Sequence, residues 1–150
     1  MERTEMGLSP GDIVEIRTDK GLAYLQVTHD HRSYPQVVRA LEGLHPERPS
    51  NIEEIAATAT LFSALLPLGS MLDRGAVAGE RIGCAAIPES DRNFPTFKTP
   101  IRDKTGAIAY WWYWDGEGLR YDVEPREATD SMPMREVMTA RTLLERLAEA

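Results

Sequence analysis

Cysteine is almost missing from this sequence. Cys84 is the one cysteine among 150 residues, which excludes an intramolecular disulfide and fits a reducing compartment. Its expected place is that of a small buried apolar side chain within a strand. Long apolar runs are missing too. The richest, Leu61 to Leu68, falls well short of the ~20 residues that a membrane span requires. Met1-Glu2-Arg3-Thr4-Glu5-Met6 mixes both charges and leads into no apolar stretch, so no signal peptide is read and the expected compartment is the cytoplasm. A basic excess is also lacking: 17 Lys and Arg stand against 24 Asp and Glu, a net charge of −7. Nucleic acid is therefore not expected as the direct ligand, because phosphate binding draws on clustered Lys and Arg.

Motifs that carry chemistry are equally scarce. The sequence holds no local nucleophile elbow, phosphate-cradling glycine loop or dinucleotide fingerprint. Asp73-Arg74-Gly75 and Asp115-Gly116-Glu117 fall short of the ligand count of a calcium loop. Ser63, Ser70 and Cys84 have nothing near them in sequence to activate them as nucleophiles. His29-Asp30-His31 on a strand turns both rings to one side and offers two ligands for zinc. A third and fourth are not evident, so the pair reads as strand-end polar residues. Neither an enzyme, a metal nor a cofactor is expected.

What is present is a chain of ordinary globular composition, 42% hydrophobic and 27% charged, of a length that suits a single domain over 1–150. Val14 and Ile16 alternate with Glu15 and Arg17, the period of a half-buried strand. Thr18-Asp19-Lys20-Gly21 is a turn, and Leu22 to Thr28 returns with Ala23, Leu25 and Val27 on one face. Gln36 to Glu42 reads as a third strand. Ser50-Asn51-Ile52-Glu53 is a capping box that opens a short helix. Thr60 to Leu66 reads as a buried strand or as a continuation of that helix. Ser70 to Asp73 repeats the capping pattern, with Gly75 as the stop. Strands follow at Glu80 to Ile87, Phe97 to Arg102 and Ala107 to Trp114. The turn Asp115-Gly116-Glu117-Gly118 then leads into a partner strand carrying Leu119, Tyr121 and Val123. A C-terminal helix is expected over about 133–148, its stripe of Val137, Ala140, Leu144, Leu147 and Ala148 docked on the sheet. A seam between two copies is the alternative, so the chain is read as a monomer or homodimer. The fold class predicted is α+β: a strongly bent, mostly antiparallel sheet or SH3-like partial barrel, two short helices and a packed C-terminal helix.

One constellation stands out. Tyr110-Trp111-Trp112-Tyr113-Trp114 holds five of the eleven aromatics and every tryptophan. Alternation sends Tyr110, Trp112 and Trp114 to one face and Trp111 and Tyr113 to the other. Such a strand is either core on both sides or offers one face to a ligand. Between Asp115 and Asp130 six acids stand against two arginines, either a solvated face or a patch that steers a basic partner.

Gly11-Asp12-Ile13 opening a strand, the hairpin into Ala23-Tyr24, Leu65-Pro67-Leu68 before a helix ending Asp73-Arg74-Gly75, Phe94-Pro95-Thr96-Phe97, and Trp111-Trp112-Tyr113-Trp114-Asp115-Gly116 together resemble the immunity protein 26 family of bacterial polymorphic-toxin systems. The resemblance runs from about Gly11 to Tyr121. It implies a small β-rich protein that binds and neutralises a co-encoded toxin, often a nuclease and often basic. The partner-binding residues expected are Trp112, Trp114, Phe94 and Phe97 as anchors, with Asp115, Glu117 and Asp122 as steering charges. A small-ligand or hydrolytic domain, with a cleft beside the Trp-rich strand and His29/His31, is the alternative.

Overall fold

A computed structural model describes residues 7–122 and 132–149. It is an α+β structure with two antiparallel sheets and three α-helices, as the alternation and helix signals predict. The sheets belong to two compact units: 1–92 with 137–150, and 93–136.

In the first unit β1 (Asp12–Thr18) and β2 (Gly21–His29) form the hairpin read from the sequence, with Thr18 opposite Gly21. Gly21 sits at φ +138, a conformation open to glycine. Strands β3 (Val37–Leu41), β4 (Thr60–Leu65) and β5 (Gly79–Cys84) complete a sheet of order β4-β3-β2-β1-β5. Because residues opposite one another share a face, Val14, Ile16, Ala23, Leu25, Val27, Val38, Ala40 and Ala64 collect on one side. Leu68 and Met71 of α2 (Leu68–Asp73) and Leu143 and Leu147 of α3 (Ala140–Leu147) join the same cluster. Leu143 and Leu147 are fully buried, each contributing roughly 1.5–3 kcal/mol. The opposite face gathers Ile13, Tyr24 and Leu41 with Ile55 and Ala56 of α1 (Ile52–Ala56). This sheet is therefore covered on both sides.

Several local expectations need correcting. Asn51 caps α1 in place of Ser50, accepting from the Glu53 N–H at 2.9 Å. Pro67 precedes α2, so Ser70 lies inside that helix and makes no cap; Gly75, at φ +75, does end it. Residues 60–65 are strand throughout. The C-terminal helix begins at Ala140, capped by Thr139, and not at Pro133. The preceding segment spends its backbone groups on strand-like bonds instead. Lys98 N–H donates to the Pro133 carbonyl, Arg135 N–H donates to the Lys98 carbonyl, and Met138 N–H donates to the Leu65 carbonyl. Val137 is 47% exposed, and Leu143 takes the central place in the stripe. Cys84 is exposed, because it ends β5, the edge strand of the sheet.

In the second unit β6 (Phe97–Arg102), β7 (Ile108–Trp114) and β8 (Leu119–Asp122) form a three-stranded sheet of order β6-β7-β8. Val123 and the acids from Glu124 to Asp130 lie outside the described residues. Among the described residues no helix is long and apolar enough to cross a membrane.

Candidate functional site

Polar side chains converge in the first unit on the sheet face that α1 covers. Glu15 and Tyr24 are cross-strand partners, and the Tyr24 hydroxyl donates to Glu15 Oε2 at 2.9 Å. Arg48 donates to both Glu15 oxygens, at 2.8 and 3.1 Å, and to Glu80. The Arg48 hydrogen bond holds the Glu15 carboxyl below its ordinary range, against the opposing effect of burial. Burial, reinforced by that carboxylate, pushes the Tyr24 hydroxyl well above the usual tyrosine range. One pair along, Gln26 faces Arg39. Arg39 is wholly buried. Its Nε donates to Gln26 Oε1, Nη1 to the Thr58 carbonyl and Thr60 Oγ1, and Nη2 to the Ala56 carbonyl. Asp91 lies 4.0 Å away and accepts from Thr60 Oγ1. Every arm of this network ends on the chain itself. It ties β2, β3, β4 and the end of α1 together.

His29 and His31 do not form the expected strand pair. β2 ends at His29, whose ring nitrogens contact Thr28 Oγ1 at 2.9 Å and the Arg92 carbonyl at 2.7 Å. His31 lies in the loop beyond, and its Nδ1 accepts from the Ser33 and Tyr34 N–H groups. Among the described residues no group of three or more His, Cys, Asp or Glu stands close enough to hold a metal ion. Two open grooves also lie in this unit. One, of about 410 Å³, is lined by Ala56, Ala85, Ile87 and Arg92 among others; the other, of about 360 Å³, by Leu8, Tyr34, Gln36 and Ser70 among others.

The second unit carries the exposed apolar surface. Register places Phe97, Trp114 and Leu119 abreast, then Thr99, Trp112 and Tyr121, then Ile101 and Tyr110, all on one face. At the turn end of that face, Phe94, Phe97 and Trp114 pack with ring centroids 5.5–6.1 Å apart. The Phe94 ring lies against Gly116, where an added Cβ would meet it at 2.8 Å. Phe-Pro-Thr-Phe and Trp-Asp-Gly, far apart in sequence, are thus one packing unit. Phe97 and Trp114 are buried, which corrects their expected role as surface anchors: they hold the sheet together. Phe94 is half-buried beside them.

Farther along the same face Tyr110, Trp112 and Tyr121 meet in a triad with centroids 5.4–6.4 Å apart. Trp112 is half-buried, while Leu119 and Tyr121 are 51% and 60% exposed; Ile108, also exposed, lies opposite Arg102 beyond a bulge and is not part of this group. Of the anchors expected from sequence, Trp112 alone belongs to this exposed group. Tyr110, Tyr121 and Leu119 were missed, although the alternation that pairs Leu119 and Tyr121 against the Trp strand carries the signal.

Asp115 and Glu117 are exposed at the β7–β8 turn. Asp115 Oδ1 accepts from the Gly118 and Glu117 N–H groups, which hold its carboxyl below the ordinary range. Its first task is to shape the turn. Asp103 does the same at the β6–β7 turn, held down by Thr105. Asp122 stands opposite Trp111 in the register.

These features define an α+β protein with a fully covered sheet in one unit and an aromatic, partly exposed sheet in the other. No family model, curated protein or solved structure matches the chain.

Proposed function

We propose that the chain is a protein-binding domain of the immunity type, which neutralises a basic toxin, a nuclease being the favoured kind, by docking on it through the outer face of β7 and β8. The observation that carries this reading is the exposure of Leu119 and Tyr121 beside Tyr110 and Trp112 on one sheet face. Large apolar side chains scattered singly on a surface need no explanation, whereas a contiguous aromatic group is typical of an interface. A net charge of −7, with ionised Asp103 and Asp115 at the two ends of β7, supports a partner that is basic. The acids speed the encounter, and the buried aromatic contact sets the lifetime of the complex.

The test is whether the adjacent gene encodes a protein with a toxin-like C-terminal domain, and whether this chain neutralises that domain on co-expression. The wild-type chain is expected to restore growth, and Leu119→Asp with Tyr121→Asp to abolish the rescue while the protein still melts as the wild type does. Growth that the double variant restores as well as the wild type overturns the reading.

A further inference from the structure

Six aromatic rings on β7 and β8 divide into two sets by what stands over them. Lys98 Nζ lies 5.2 Å from the centroid of the Trp111 ring, the Arg120 guanidinium 5.8 Å from Tyr113, and the Arg135 guanidinium 5.0 Å from Trp114. Among the described residues no Lys or Arg stands over Tyr110, Trp112 or Tyr121, although these three rings touch one another pairwise. Their negative faces are a ready receptor for a cation, and two or three rings acting together bind one better than a single ring does. Asp103 and Asp115, ionised at the two turns, bracket the triad along the strand. At roughly 3.3 Å per residue, Asp115 lies about 10 Å from Trp112 along the chain, near the Debye length at physiological salt.

We infer that Tyr110, Trp112 and Tyr121 form a receptor for one arginine side chain of the basic partner; this rests on the reading that the face binds a protein. A guanidinium is favoured over an ammonium because it is planar, stacks on rings and is more weakly hydrated. The same sheet already seats two of its own arginines in this way.

The probe is an acetylated, amidated Gly-Arg-Gly-Arg-Gly peptide titrated into the full chain, with the ring and indole signals followed by NMR. The Trp112 indole and the Tyr110 and Tyr121 rings are expected to shift, with the Trp111 and Trp114 indoles unmoved. The matching lysine peptide is expected to bind more weakly. The citrulline peptide, equal in shape but uncharged, is expected to bind about fivefold more weakly or worse. Equal shifts with citrulline, shifts confined to Trp111 or Trp114, or no shift at all overturn the inference. Growth rescue separates this failure from failure of the broader reading. Trp112→Leu with Tyr121→Leu keeps an apolar face but removes the rings. Rescue that survives it, while Leu119→Asp with Tyr121→Asp abolishes rescue, leaves the docking face standing without an arginine receptor.

Discussion

The two sheets solve the same problem in opposite ways. The five-stranded sheet has helices on both faces and places its polar side chains, Glu15, Gln26 and Arg39, inside, each satisfied by the chain. The three-stranded sheet buries Phe97, Tyr113 and Trp114 but leaves Ile108, Leu119 and Tyr121 toward solvent. Burial of a charge is tolerated where hydrogen bonds complete it, and exposure of rings is tolerated where something else is to cover them. The contrast teaches that polarity alone does not mark a functional surface here. The most polar cluster is structural, and the most apolar face is the one proposed to bind a partner.

The largest expected effect strikes the covered sheet. Arg39→Met leaves Gln26, Thr60 and two carbonyls without their donor, and a loss of about 3–5 kcal/mol is expected in urea unfolding. A loss below 1 kcal/mol would dissolve the distinction between the sheets. Next comes the comparison of two tryptophans on one strand. Trp114→Ala is expected to destabilise its unit by about 3–5 kcal/mol. Trp112→Ala is expected to cost markedly less, with the difference read as melting of the near-UV aromatic signal. Equal losses would make the triad core.

Acid sharpens the comparison from another side. The Glu15 carboxyl is depressed from its ordinary value of 4.5 by Arg48, so its stabilising effect is full above that value and fades as pH falls through the folded one. Wild-type melting temperature is therefore expected to drop below about pH 4.5 more steeply than that of Glu15→Gln, and parallel curves would refute the linkage. The smallest effect is expected on the exposed face, where Tyr121→Ser should change stability by no more than about 0.5 kcal/mol.

Much of the fold was legible because its signals are local. Alternation in Asp12–Thr18 and Gly21–His29, the glycine-bearing turns and the Phe97–Arg102 strand need only neighbouring residues. Pro133 misled the reading of the C-terminal helix. A proline fits a first helical turn, but the segment's N–H and carbonyl groups were claimed by Lys98 and Leu65, which the local sequence does not reveal. Cys84 misled likewise: its place in a strand is local information, while its place at a sheet edge is not. The candidate site was half visible. Its strand and its two faces followed from composition and period, and Trp112 was picked out with them.

By itself, then, the sequence determined the class of fold, the strand that carries the aromatics and the faces to which they turn, because side-chain direction in a strand alternates regardless of what lies around it. Tertiary structure alone decided which ring on one face is interior and which is open. Trp112 and Trp114 share type, strand and face, and they differ because Phe94 and Phe97 close over Trp114 at a turn where Gly116 has no Cβ to hold them off. It also decided that Arg39 lies at the centre of a sheet and not on its surface, since the carbonyls and the Gln26 amide that satisfy it come from two segments that only folding brings to it.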